Sequence, residues 1–260
     1  MANLNEKKLI VFDLDGTLTP SKSDLQPDMS RTLAALLAKK KVAVIGGGTY
    51  GQFRKQLVAK LKCPPALLHN LFLFPTTSTT FYRYQGGWKK VYAHELSPSM
   101  RAKIKKNFHD VMREVGYVPP AKIYGKMIED RRSQVTFSAL GQDIVTALGK
   151  KGLTLKEKWG KENDAIKKTM ADMMKKRLPN LEVRRGGITS IDVTMKGIDK
   201  AYGVRQIKKV LGIQIRDMVF IGDALYPGGN DAAARKTGIQ CLQVKGPQDT
   251  KRIIEKIIAK

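Results

Sequence analysis

The stretch LIVFDLD over residues 9–15 is an apolar run that ends in two carboxylates and Gly16, the pattern of a strand buried on both faces that runs into a loop. Over residues 28–40 the period changes, and Met29, Leu33, Leu36 and Leu37 share one helical face. Lys41–Ile45 is a second buried strand that leads into Gly46, Gly47 and Gly48 and an expected helix over residues 50–61. Strand, helix, strand, helix predicts a layered α/β fold. The pattern shifts near Ser78, where FYRYQ and KKVYAHEL flank Gly86-Gly87 as an antiparallel hairpin. Ser97 caps and Pro98 opens a helix with Met100, Ile104, Phe108, Met112 and Val115 on one face. Strands are expected over residues 134–140 and Ser190–Met195, separated by a helix over residues 162–178 whose Ile166, Met170, Met173 and Met174 fill core space. The layered pattern returns with a helix at Lys200–Leu211, strands over residues 218–221 and 241–244, and a last helix holding Ile253, Ile254, Ile257 and Ile258.

These periods predict a doubly wound parallel-sheet α/β core over residues 1–82 and 187–260, with an α+β cap inserted over residues 83–186. A cap over a sheet edge places a cleft at the carboxyl ends of the strands, where open α/β sheets bind ligands.

Composition narrows the function. At 260 residues and 42% hydrophobic content the chain can build a packed core. No stretch approaches the roughly 20 apolar residues that span a bilayer, and the first eight residues hold no apolar run of a targeting segment. Cys63 and Cys241 lack metal-ligand spacing, which suits a reducing compartment, so a cytoplasmic location is expected. The formal charge of +25, from 48 Lys plus Arg against 23 Asp plus Glu, is far from ordinary. Its lysines fall in short runs at helix ends and polar faces without interleaved aromatics, so a solvated surface is expected rather than a nucleic-acid partner. Such a surface would draw in anionic substrates.

Along the first strand, a period of two points Asp13 and Asp15 the same way, so two carboxylates converge just past the sheet. Ile221-Gly222-Asp223 ends another core strand and is followed by Pro227-Gly228-Gly229-Asn230-Asp231. A carboxylate there, close to Asp13 in a parallel sheet, would offer Mg²⁺ the hard oxygen ligands it prefers. Residues 46–49, between a strand and a helix start, should supply amide and hydroxyl donors to a phosphate.

DLDGTLT at residues 13–19 resembles the first signature of the haloacid dehalogenase (HAD) superfamily. With DLDGTLTPSK, the glycine run, IEDR, GGITSIDV, GIDKAYGV, GDALYPGGND and PQDTKRI, nearly the whole chain is similar to the eukaryotic-type phosphomannomutases and their prokaryotic relatives, which carry an α+β cap on a Rossmann-like core. The resemblance implies that Asp13 attacks phosphorus to form an aspartyl-phosphate, that Asp15 is the general acid and base, and that Lys200 contacts phosphate and Asp13. It assigns Mg²⁺ to Asp13, the backbone carbonyl of Asp15 and Asp223, with Asn230 and Asp231 in support. Gly47-Gly48-Thr49 is shifted against the family's Gly-Gly-Ser-Asp, with Thr49 the candidate for the serine's role, and Lys22 replaces a core arginine. In the cap, Arg131 falls in an arginine cluster for a distal phosphate, and Ser190 and Asp192 fall on positions that hold sugar hydroxyls.

Tyr124 and Gln142, however, stand where the family has two further arginines. Losing one charge-assisted arginine–phosphate hydrogen bond would cost about 1.5–3 kcal/mol. A mutase must hold a bisphosphorylated intermediate by either end, so a sugar-phosphate phosphatase is the first expectation and phosphomannomutase the second. A basic binding protein on an idle scaffold is a third reading, opposed by the intact Asp13, Asp15, Lys200 and Asp223. Relatives with this cap often pair through it, which admits a homodimer.

Overall fold

The computed structural model describes residues 4–259. Its strands are β1 (Leu9–Asp13), β2 (Lys41–Ile45), β3 (Leu71–Phe74), β4 (Thr80–Tyr84), β5 (Trp88–Ala93), β6 (Ile128–Asp130), β7 (Gln134–Ser138), β8 (Leu181–Arg185), β9 (Ser190–Met195), β10 (Met218–Gly222) and β11 (Gln240–Gln243). They form two sheets, of order β11-β10-β1-β2-β3-β4-β5 and β6-β7-β9-β8. The first is parallel from β11 to β3 and antiparallel through β4 and β5, and the second is antiparallel throughout.

Alternation explains why the first sheet is apolar on both sides. Ile10, Phe12, Val42, Val44, Val219 and Ile221 pack on one face against Leu33, Leu36 and Leu37 of the helix Pro27–Lys39 and Ile254 and Ile257 of the helix Pro247–Ile258. Leu9, Val11, Ala43, Ile45, Met218 and Phe220 pack on the other against Val204 and Ile207 of the helix Lys200–Leu211. Continuous apolar strands are what such two-sided burial demands.

The chain divides into two compact units, the first holding residues up to Ala93 and from Ile198, the second His94–Gly197. These bounds differ from those read in the sequence. The hairpin β4–β5 pairs with β3, Leu73 opposite Tyr82, and Phe81 stacks on Phe74 with ring centroids 4.5 Å apart, so it extends the first sheet. Main-chain pairing, which hairpin periodicity does not reveal, decides the matter. Likewise β9 pairs with β7 and β8, which carries residues 187–197 into the second unit. There the helix Lys150–Arg177 starts twelve residues before its expected onset and kinks at Asn163. Its Met170, Ala171 and Met174 pack with Phe137, Ile191 and Val193 of the second sheet. Residues 50–61 form a short helix, Tyr50–Phe53, continued by a π-helical turn at Arg54–Val58. Among the described residues no helix is long and apolar enough to cross a membrane.

Candidate active site

The first unit gathers its chemistry at the carboxyl ends of β1, β2 and β10. Asp13 is the last residue of β1 and is 5% exposed. The loop after it folds back sharply: Leu18 and Thr19 amides donate to Leu14 O at 3.0 Å, and Gly16 N donates to Thr19 O at 2.7 Å. This loop needs Gly16, whose φ is +91° and whose added Cβ would lie 2.6 Å from Asp223 Oδ2. Asp15 Oδ1 accepts from the Lys22 amide at 2.5 Å.

Lys200 opens the helix Lys200–Leu211, whose start is fixed by Asp199 accepting from Tyr202 N at 2.8 Å. That cap delivers the Lys200 ammonium inward, where it lies 2.5 Å from Asp13 Oδ1, 3.1 Å from Ile45 O and 3.1 Å from Asp231 Oδ1. The ring of Phe220 lies beneath it, 5.5 Å away. Asp223, just past β10, accepts from Thr17 Oγ1 at 3.2 Å and donates its amide to the same hydroxyl at 3.1 Å. Asp231 is fully buried, its Oδ2 accepts from Ala224 N at 3.2 Å, and a Cβ on Gly222 would lie 2.4 Å from that oxygen.

One ammonium thus faces three carboxylates. Oxygens of Asp13, Asp223 and Asp231 lie within 4.8 Å of one another, the one such group of three or more among the described residues. Burial pushes the Asp13 carboxyl well above its ordinary value, and Asp231 and Asp223 add to the rise while Lys200 opposes it. Asp223 is raised by burial and then by Asp231. For Lys200 burial acts to lower the value, but Asp13 and Asp231 together outweigh it and hold the ammonium charged. Asp231 Oδ1 is buried and accepts no well-aligned hydrogen bond from a described residue. Three carboxylates against one ammonium leave an excess of negative charge, which burial makes costly, and an all-oxygen set of this kind fits a hard divalent cation.

Thr49 caps the helix Tyr50–Phe53 through a reciprocal pair, its Oγ1 accepting from Gln52 N and its amide donating to Gln52 Oε1 at 2.7 Å. Gly46 and Gly48 give their carbonyls to the amides of Thr77 and Thr76, both at 2.9 Å. Asn230 is exposed on the loop that returns to Asp231.

In the second unit, Glu129, Thr136, Asp192 and Arg184 are register partners across four strands. Asp192 Oδ1 accepts from Thr136 Oγ1 at 2.7 Å and Gln134 Nε2 at 3.0 Å, and Ser190 lies buried one pleat away. Arg131, with a side chain 4% exposed, donates to Glu129 Oε2 at 2.7 Å and to Gln142 Oε1 at 2.9 Å. Lys167 donates to Ile188 O at 2.8 Å and so ties down the loop that enters β9.

Of the residues selected from sequence, Asp13, Lys200, Asp223 and Asp231 are in mutual contact or close approach, with Asp15, Lys22, Gly47, Gly48 and Thr49 on adjoining loops of the same unit. Arg131, Ser190 and Asp192 belong to the second unit. Sequence reading missed Thr17, Gly222 and Asp199. The first two are identified only by close approach across the strands, whereas Asp199 carried a signal, an N-cap residue before a helix.

The family model described as eukaryotic phosphomannomutase matches residues 29–260. The phosphomannomutase of Encephalitozoon cuniculi is 26% identical over 260 residues, which cover 98% of this chain and 95% of that protein. That of Saccharomyces cerevisiae is 26% identical, covering 96% and 93%. Among solved structures, Plasmodium falciparum IMP-nucleotidase superposes with a TM-score of 0.69 at 18% identity, covering 98% of this chain and 68% of that one. A haloacid dehalogenase-like hydrolase from Bacteroides thetaiotaomicron gives 0.58 at 15%, covering 96% and 99%. These superpositions agree with the fold, a parallel-sheet core with a separate antiparallel sheet.

Proposed function

Since the chain belongs to the eukaryotic phosphomannomutase family, we propose that it transfers the phosphoryl group of a small sugar phosphate through Asp13, with water as the final acceptor. The observation that carries this reading is the buried contact of Lys200 with Asp13 Oδ1 at 2.5 Å, beside Asp223 and Asp231. Lys200 holds one carboxylate oxygen and leaves Oδ2 to attack phosphorus, as covalent carboxylate catalysis requires. The bond from phosphorus to the sugar oxygen breaks, and Asp15 gives that oxygen its proton. Asp15 then takes a proton from water, whose oxygen bonds to phosphorus as the Asp13 oxygen–phosphorus bond breaks. Free phosphate leaves and the Asp13 carboxylate returns.

Asp13, Asp223 and Asp231 would hold Mg²⁺, with the Asp15 carbonyl and Asn230 in support. When bound, the ion neutralises charge between an anionic nucleophile and an anionic phosphate. Gly47, Gly48, Thr49 and Lys22 are proposed to line the phosphate, and in the second unit Ser190 and Asp192 are proposed to hold sugar hydroxyls. The Arg131 guanidinium, buried and engaged by Glu129 and Gln142, favours hydrolysis, because a mutase needs cations ready for a second phosphate. The second reading, interconversion of mannose 1-phosphate and mannose 6-phosphate, is favoured by the family match over residues 29–260. Mannose 1-phosphate with a catalytic amount of glucose 1,6-bisphosphate separates them. Free phosphate is the expected product, mannose 6-phosphate would establish the mutase, and neither product would reject the proposed chemistry, as would turnover of p-nitrophenyl phosphate by Asp13→Asn.

A further inference from the structure

Directly after β3, three consecutive residues other than glycine stand in left-handed backbone: Thr76 at φ 49°, Thr77 at 56° and Ser78 at 66°. This region is disfavoured for L-residues, most of all β-branched ones, and is normally visited by single residues rather than runs. Such a run persists only where its surroundings hold it, and strain of this kind concentrates at functional positions. The holding contacts are specific. Thr76 Oγ1 lies 2.6 Å from Thr79 Oγ1, Tyr92 donates its hydroxyl to Ser78 O at 3.0 Å, and Ser78 is fully buried against Gly203, where a Cβ would come within 2.5 Å of its Oγ.

The amides of this turn reach the glycine loop after β2, Thr76 N to Gly48 O and Thr77 N to Gly46 O. Gly46 N donates to Phe74 O at 3.3 Å, so both polar groups of Gly46 face the β3 side. A trans peptide sets N–H opposite C=O, which turns the Gly47 N–H to the other side of the strand. On that side, toward β1, Ile45 O meets the same Lys200 ammonium that contacts Asp13.

We infer that the Thr76-Thr77-Ser78 turn is a positioning element for the phosphoryl site, holding the carbonyls of Gly46 and Gly48 so that the Gly47 amide faces the Asp13 side. The inference rests on the reading of Asp13 as the phosphoryl-transfer centre. Glycine at position 77 would adopt this conformation without strain but would leave the loop loose, whereas asparagine tolerates it and stays stiffer.

Thr77→Gly and Thr77→Asn therefore separate positioning from stability. With Mg²⁺ present, Thr77→Gly should melt no lower than wild type yet raise both KM for p-nitrophenyl phosphate and Ki for inorganic phosphate about tenfold, since loosened geometry weakens a fixed anion contact. Thr77→Asn should return both constants to within about twofold of wild type. Unchanged KM and Ki in Thr77→Gly would overturn the inference, as would equal losses in both variants with a lowered melting temperature, the mark of a purely structural turn. A wild type whose turnover survives Asp13→Asn would instead sink the underlying reading.

Discussion

Replacing Lys200 with methionine tests the electrostatics of the site. The side chain keeps its bulk, but Asp13, Asp223 and Asp231 lose the ammonium that lies 2.5 Å from the first and 3.1 Å from the third. Breaking a buried ion pair on one side costs about 3–5 kcal/mol, because the partner charge stays buried. At about 2–4 °C per kcal/mol for a unit of this size, the melting temperature should drop roughly 6–20 °C at pH 8 in EDTA.

The gap should also depend on pH. Burial, then Asp231 and Asp223, raise the Asp13 carboxyl above 3.8, with Lys200 opposing. When a folded acid is raised, the native chain binds more protons than the unfolded one between the two values. Stability is then fully present below about 3.8 and is lost as pH climbs through the raised value. Removing Lys200 raises Asp13 further and carries that loss to higher pH. Wild type minus variant, measured by circular dichroism melts, should therefore be larger at pH 8 than at pH 5, and Mg²⁺ should narrow it at pH 8. A gap under about 3 °C, or one equal at both pH values, would refute the electrostatic account.

Two further substitutions probe the packing around the carboxylates. Thr17→Val keeps the shape but removes the hydroxyl that bridges Asp223 Oδ1 and N, so the Mg²⁺ concentration for half-maximal turnover should rise about 10–100-fold, as read from a metal titration. Gly16→Ala places a Cβ 2.6 Å from Asp223 Oδ2 at φ +91°, and should lower both the melting temperature and p-nitrophenyl phosphate turnover; unchanged turnover would mean that the Asp15 loop can shift freely.

Much of this protein is legible one residue at a time. Strands buried on both faces must be apolar throughout, so LIVFD and MVFIG declared themselves, and helical periods located Pro27–Lys39 and Lys200–Leu211 to within a residue or so. Asp13, Asp15 and Asp223, at or just past the ends of apolar strands, are singled out by that pattern, whereas Lys200 and Asp231 are marked only by the family resemblance. The short strands β3, β6 and β8 were not legible, since their three to five residues carry too little period.

Tertiary structure decided what depends on main-chain pairing and on distance across the chain. Periodicity shows that β4–β5 is a hairpin, but only its pairing with β3 assigns it to the first unit. No sequence pattern announces that Thr17 meets Asp223, that Gly222 makes room for Asp231, or that Arg131 is engaged by Glu129 and Gln142. Burial and period are local and leave a trace in every residue of an element. Which polar groups end up touching is set by positions 187 and 206 residues apart in the chain, and no local pattern records it.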